Sequence, residues 1–120
     1  MATIMDAGLA LTGTNAVAPR ASGYTVVPND VIVPMDTTGA GAKTVNLPNP
    51  ALAASAMQKY QVFAFPDPVG NAAVSNIQAG LPAGVTLDGL AGPLVPIVTT
   101  NHGCRIIYTD GVNYFTLTSV

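Results

Sequence analysis

The chain is short of the residues on which most enzymes and nucleic-acid-binding proteins depend. Its 120 residues contain no glutamate, no tryptophan, one cysteine and one histidine, and only 8% of them are charged, against about 25% in an ordinary soluble domain. Four scattered lysines and arginines cannot form the basic stripe that phosphate backbones require. No apolar run reaches the length of a membrane-spanning helix. The composition therefore predicts no nucleic-acid partner and no membrane partner.

The same deficits bear on processing and assembly. A single cysteine, Cys104, excludes a disulfide within the chain. The first residues lack a basic region and carry Asp6, so we expect no cleaved secretion signal. A monomer that is 49% apolar and 8% charged would be poorly soluble. We therefore expect much of its surface to be buried against other chains.

Few residues remain that could carry chemistry. His102 and Cys104 flank Gly103, but a zinc site needs three or four ligands, and no orienting acid or oxyanion motif accompanies the pair. We interpret His102 as a turn residue and Cys104 as a small core residue. DTTGAG (36–41) lacks the repeated acidic positions of a calcium loop, and TGAGAK (38–43) lacks the spacing of a phosphate loop. The acidic residues are all aspartates, mostly beside turn formers. We predict no catalytic, cofactor or metal site, and hence no enzyme.

Short β-patterned segments dominate what the sequence does contain. Ten prolines and twelve glycines separate runs that recur at intervals of about ten residues, which is typical of an all-β domain. These runs lie at 24–27, 30–34, 43–47, 60–65, 73–79, 84–87, 94–98, 104–109 and 113–118. They predict a small antiparallel β-sandwich, a barrel-like domain or a β-prism. Pro34 and Pro96 indicate strand ends or edge strands.

One segment, 49–59, is patterned as a helix. Asn49 suits the N-cap and Pro50 the first helical position, and Lys59 follows a run of alanines, Leu52 and Met57. The sequence therefore predicts one short helix within a mainly β domain.

The chain divides into an N-terminal arm and a β-rich domain. Residues 1–22 are small, nearly uncharged and without periodicity, whereas residues 23–120 carry the β-patterned segments. We interpret residues 1–22 as an extended docking arm that is ordered only against a partner. Its larger apolar residues are the predicted contacts: Met1, Ile4, Leu9 and Leu11.

The most distinct feature is a hairpin at the end of the chain, in which Asp110-Gly111 separates two apolar runs. Either short loop at this point pairs even-numbered with odd-numbered positions. One face would then carry Cys104, Ile106, Tyr108, Phe115 and Leu117, and the other Arg105, Ile107, Thr109, Tyr114 and Thr116. We assign the first face to the core. We assign the second, half-apolar face to an interface between chains, with Ile107, Tyr114 and Arg105 as the candidate residues.

The order of motifs from residue 24 to residue 118 resembles a β-repeat module of bacteriophage virion proteins. That module has a Y-x-V start with a D-x-x-I/V step, a D-T-T/S turn and a T-V-x-L-P strand. A D-x-x-G-N-A end, an Asn-Ile strand, T-N-x-G and an S/T-D-G-x-N-aromatic hairpin follow. The matching positions here are Tyr24, Asp30, Asp36, Thr37, Leu47, Pro48, Asp67, Gly70, Asn71, Ala72, Asn76, Ile77, Asn101, Gly103, Asp110, Gly111, Asn113 and Tyr114. The chain departs from the module in the alanine-rich segment 50–59 and in Tyr114, where tryptophan is common.

The resemblance implies a trimeric, β-rich structural protein without shared catalytic residues. Such modules occur in capsid decoration (cement) proteins and in tail fibres and spikes. We expect a decoration protein that stabilises the phage head by binding the major capsid protein lattice as a homotrimer. The alternative is a tail-fibre or tail-spike component involved in binding a host receptor. A short chain without internal repeats or heptads favours decoration.

Overall fold

The computed structural model describes residues 18–117, and these residues form a mainly β structure with almost no helix. Nine short strands supply the regular structure. In chain order they are β1 Tyr24–Thr25, β2 Lys43–Asn46, β3 Val62–Pro66, β4 Ile77–Gly80, β5 Thr86–Leu87, β6 Leu90–Ala91, β7 Leu94–Val98, β8 Cys104–Thr109 and β9 Tyr114–Thr116. The predicted β-rich class is confirmed.

The strands form two mixed sheets. The four-stranded sheet has the order β1-β2-β4-β7, and the five-stranded sheet has the order β3-β8-β9-β5-β6. The pairs β1–β2, β2–β4 and β5–β9 are parallel, and the remaining pairs are antiparallel. The prediction of an antiparallel arrangement is therefore wrong for three of the pairs. Pro96 lies in β7, an edge strand, where its missing N–H costs no ladder hydrogen bond.

Both sheets contribute to a single hydrophobic core. The buried residues of the longer strands point into it, among them Val45 and Ile77 from the first sheet and Phe63, Ile107 and Tyr114 from the second. Two layers that bury one face each are the standard solution for a small β domain. The opposite face of each sheet is left for other contacts.

The helix predicted for residues 49–59 is wrong, since only one 3-10 turn, Ala53–Ser55, forms there. The Asn49 side chain does accept a hydrogen bond from the N–H of Ala51, as a capping residue would. Ala56 then takes a left-handed conformation with φ of 54°, which ends the turn. Residues of the segment are mostly exposed, so no apolar helical face exists to stabilise a longer helix by packing.

The segment predicted as a strand at 30–34 forms no full strand. Its backbone instead meets the edge of β3 through an isolated parallel bridge between Ile32 and Ala64. The N–H of Ala64 donates to the carbonyl of Val31, and the N–H of Val33 donates to the carbonyl of Ala64. The segment thus covers the free edge of the five-stranded sheet.

The predicted boundary at residue 22 falls within the described chain. Arg20 pairs with Met35 in a parallel bridge, and the Ser22 hydroxyl accepts a hydrogen bond from the N–H of Thr44. Arg20 and Ser22 are therefore joined to the β-structure, and residues 1–17 of the predicted arm lie outside the described residues. Between residues 18 and 117, no helix is long and apolar enough to cross a membrane.

Candidate functional site

Three loops meet at one end of the five-stranded sheet around the buried carboxylate of Asp67. Oδ1 accepts hydrogen bonds from the Thr37 hydroxyl at 2.6 Å and from the N–H of Gly70 at 3.0 Å. Oδ2 accepts from the N–H groups of Ala72 at 2.9 Å and His102 at 3.1 Å. Asp67 is only 2% exposed. One carboxylate thus joins the loop at 36–41, the loop after β3 and the loop before β8, and these three loops with Asp67 are called the loop cluster below.

A second layer of hydrogen bonds surrounds this carboxylate. The Asn71 amide donates to the backbone carbonyls of Thr37 at 2.8 Å and Gly39 at 2.9 Å. The hydroxyl of the buried Ser75 also donates to the carbonyl of Gly39. The Asn101 side chain accepts from the N–H of Ala73 at 2.8 Å. Side chains of asparagine, serine and aspartate therefore satisfy the backbone groups that the loops leave unpaired.

His102 lies against Gly70 in the loop cluster. His102 has a φ of 58° and Gly70 a φ of 87°. A β-carbon at position 70 would lie 2.3 Å from Nε2 of His102, and the positive φ of Gly70 is a conformation that other residues rarely adopt. The interpretation of His102 as a turn residue is confirmed.

The hydrogen bonds determine what Asp67 can do chemically. Burial acts to raise the pKa of Asp67, but the hydrogen bonds from Thr37, Gly70, Ala72 and His102 outweigh it, and the pKa lies below its ordinary value. Each carboxylate oxygen already accepts two donors, which leaves little capacity for a proton, a substrate or a metal ion. Asp67 is therefore a structural anchor of the loops.

The other described aspartates have comparable local roles. Asp30 accepts from the Tyr24 hydroxyl at 2.6 Å, Asp88 accepts from the hydroxyl of Thr116 at 2.6 Å, and Asp110 accepts from two N–H groups of its own turn. Asp36 accepts from the N–H of Thr38, two residues further on. The turn role predicted for the aspartates is confirmed for Asp30, Asp36 and Asp110, whereas Asp88 accepts from Thr116, 28 residues along the chain. Within residues 18–117, no three histidine, cysteine or acidic side chains are grouped so that they could hold a metal ion.

The closing hairpin has the predicted register. Thr109 pairs with Tyr114, Tyr108 with Phe115 and Ile107 with Thr116. Even-numbered residues of β8 therefore share a face with odd-numbered residues of β9, as the spacing of the turn requires.

The assignment of the two hairpin faces is wrong, because the face predicted for an interface is the core face. Ile107 and Tyr114 are both 0% exposed within a single chain. The Tyr114 hydroxyl donates to the carbonyl of Pro48 at 2.5 Å, and burial raises the pKa of Tyr114. Arg105 is half-buried and its Nε donates to the carbonyl of Ile97 at 2.8 Å. These three residues join β8 and β9 to the rest of the same chain.

The face predicted to be core is the outward surface of the sheet. Ile106 is 39% and Leu117 51% exposed, and Cys104, interpreted from sequence as a core residue, is also exposed. In register beside them on β3 are Val62, Ala64 and Pro66. We define the outer face as these eight residues: Val62, Ala64, Pro66, Cys104, Ile106, Tyr108, Phe115 and Leu117. All of them are apolar or, for Tyr108 and Cys104, predominantly apolar.

Two aromatic rings organise the outer face. Tyr108 and Phe115 stack with ring centroids 5.5 Å apart. Tyr60, which is 64% exposed, borders a shallow pocket that it shares with Val62, Tyr108 and Leu117. The Lys59 ammonium lies 5.3 Å from the Tyr60 ring centroid. The outer face is thus a flat, uncharged surface with rigid aromatic groups.

The sequence contained a signal for the true core side. In β3, Phe63 and Phe65 alternate with Val62 and Ala64, and the larger rings are the better core residues. Pairing β3 with β8 places Phe63 opposite Ile107, which identifies Ile107 as inward. Phe63 and Ile107 are far apart in the sequence, and the pairing of β3 with β8 was not among the sequence predictions. The remaining predicted contacts, Met1, Ile4, Leu9 and Leu11, lie outside the described residues.

No protein-family model matches the chain, and neither a curated protein nor a solved structure matches it at a significant level. The resemblance to phage virion modules therefore depends on the motifs and on where the fold places them.

Proposed function

We propose that this chain is a bacteriophage structural protein. Specifically, it is a capsid decoration (cement) protein that binds the lattice of the major capsid protein on the outer surface of the head as a homotrimer. The observation that carries the proposal is the loop cluster, in which motif residues separated along the chain meet around one buried carboxylate.

Taken together in the loop cluster, the motifs support the resemblance to phage virion modules more strongly than they do singly. Taken singly, D-T-T, D-x-x-G-N-A and T-N-x-G are turn motifs that occur by chance in many proteins. Here Thr37, Asp67, Asn71 and Asn101 belong to one hydrogen-bonded unit. Residues that act together in three dimensions are expected to occur together in a family. Their joint presence, in the same order as in the phage modules, supports common descent more strongly than any of them alone.

The use of the polar side chains supports a structural role. Asp67 accepts four donors, Asp30 and Asp110 accept from their own turns, and Asp88 accepts from Thr116 in β9, so these carboxylates are committed to holding the chain's own loops and strands. A protein whose charged groups maintain its own turns is suited to lasting contacts with other proteins. The uncharged outer face adds a surface suited to assembly, since charged residues are depleted in the cores of protein interfaces.

Immunogold labelling of phage particles tests the proposal. An antibody raised against the purified chain should label the heads of particles in many copies, and particles made without the chain should remain unlabelled. Label confined to the tail would contradict decoration and support the tail-fibre or tail-spike alternative. Absence of label from the whole particle would contradict both.

A further inference from the structure

We infer that the outer face of β3, β8 and β9 is the surface through which this chain binds a second copy of itself. The inference starts from the exposure of the face in a single chain. Val62, Ile106 and Leu117 are each at least 39% exposed; Ile106 lies within β8, Val62 begins β3, and Leu117 directly follows β9. Nothing within residues 18–117 covers them.

The size of the face fits the apolar centre of a protein interface. Three strands about 4.8 Å apart, over about five residues at 3.3 Å each, give a surface of roughly 250 Å². The exposed ring of Tyr60 extends it. A stable interface buries about 800 Å² on each partner, with a polar rim around the apolar centre.

The chemistry of the face determines the kind of partner. None of its eight side chains is charged, so a partner gains nothing from complementary charge and must itself offer a flat apolar surface. The stacked Tyr108 and Phe115 rings provide large contact areas at little entropic cost. Sheet faces pack on one another at about 10 Å. Another molecule of this chain carries such a surface.

Solution behaviour also favours a second copy. With 8% charged residues and a formal net charge of −2, the chain has little electrostatic repulsion to keep copies apart. When the protein is purified, no other macromolecule is present to cover the face. Burying it between copies removes apolar area from water at about 25 cal/mol per Å². Association of copies is then the outcome that lowers the free energy.

The test compares the oligomer masses of wild type, Ile106→Asp and Val74→Asp by light scattering coupled to size exclusion. Wild-type chain should have the mass of a closed oligomer. Ile106→Asp should have the mass of a single chain, with a dissociation constant at least 100-fold higher, because an unpaired carboxylate would be buried. The matched control is Val74→Asp, since Val74 is 69% exposed and lies outside the face. It should assemble like wild type.

Cys104 provides a second readout within the face. As the only cysteine, it reports the rate of maleimide modification without competing thiols. We expect modification at least tenfold faster in Ile106→Asp than in wild type at equal concentration. The introduced carboxylate would itself disfavour the thiolate, so a faster reaction means that the face has been uncovered. Circular dichroism of all variants ensures that folded proteins are compared.

The outcomes separate this inference from the proposed function. A single-chain mass for wild type at high micromolar concentration, or an Ile106→Asp variant that assembles like wild type, would overturn the inference. Equal dissociation of Ile106→Asp and Val74→Asp would overturn it as well. The inference depends on the proposed function only for the number of copies. A dimer sensitive to Ile106→Asp would support the face and contradict the trimer, and unlabelled phage heads would leave the face unaffected.

Discussion

The side chain of Asp67 stabilises three loops at once. Its carboxylate accepts donors from Thr37, Gly70, Ala72 and His102, and these residues span 65 positions of the chain. A buried acceptor with charge-assisted hydrogen bonds contributes more than a neutral one. The aspartate is therefore far less replaceable than the exposed aspartates of the turns.

The first prediction concerns Asp67→Asn. The amide replaces one carboxylate oxygen by an NH₂ group, so two donors lose their acceptor: either the Thr37 hydroxyl and the N–H of Gly70, or the N–H groups of Ala72 and His102. We expect the free energy of unfolding to fall by about 2–4 kcal/mol, measured by urea denaturation. Asp36→Asn is the matched control, since Asp36 accepts only from its own turn, and it should lose much less. Equal losses in the two variants would contradict the anchoring role.

The second prediction is the response of stability to acid. The pKa of Asp67 is lower in the folded chain than its ordinary value of about 4, so the unfolded chain binds the proton more readily. The stabilisation is then complete above the unfolded pKa and is lost as pH falls through the folded pKa. We expect the melting temperature to decline below about pH 4, and to decline less steeply in Asp67→Asn. An unchanged acid dependence in that variant would refute the assignment.

At the level of elements, the hairpin of β8 and β9 separates a core face from an outer face. Ile107→Ala removes buried atoms and should lower the free energy of unfolding by about 2–5 kcal/mol. Ile106→Ala, one residue away, should change it by less than about 1 kcal/mol. Both are to be measured at concentrations at which the protein is a single chain. A larger loss for Ile106→Ala would reverse the assignment of the faces.

The sequence was informative where local rules decide the structure. The bounds of β8 and the register of the hairpin follow from period-2 patterning and from Asp110-Gly111. Which face points inward depends on β3, which is far from its partner β8 in the sequence, and no local pattern specifies that pairing. The helix expected after Asn49 failed for a related reason. Its capping residue is present, but a helix of this length requires a packed apolar face that the fold does not offer.

In the loop cluster, too, the local contacts could be predicted from the sequence and the long-range contacts could not. Turn chemistry predicted that Asp36, Asp67 and Asp110 would hold turns, and they do. That Asp67 would also accept from Thr37 and His102 required knowledge of how three loops converge. The motifs of the resemblance identified the participants, but only the topology explains why these residues act together.

At the level of the whole molecule, we expect the predicted arm to be needed for binding capsid shells and the β-structure to fold without it. The buried core lies between Val26 and Tyr114, and the described chain first pairs with other backbone at Arg20, which bridges to Met35. Deleting residues 1–17 should therefore leave the melting temperature within a few degrees of wild type. It should weaken binding to capsid shells at least tenfold, measured by co-sedimentation. The variant with Ile4, Leu9 and Leu11 all changed to serine should show the same loss at full length.

Undiminished shell binding by the shortened chain would contradict the docking role of residues 1–17. A shortened chain that no longer folds would instead contradict the division at this point. If shell binding is undiminished, the protein could still decorate capsids through another surface. If the shortened chain does not fold, only the position of the boundary is wrong.

Parallel pairing of β2 with β4 also governs how fast the chain can fold. Parallel neighbours cannot be joined by a tight turn, and here β3 lies between them in sequence but belongs to the other sheet. The chain must close loops of 30 residues or more before these pairs gain their hydrogen bonds. Folds dominated by such non-local contacts refold in about milliseconds to seconds, far more slowly than helical bundles. During that interval the apolar strands are exposed and can contact other chains. When many copies are made at once, prompt assembly would shorten the time for which chains remain free.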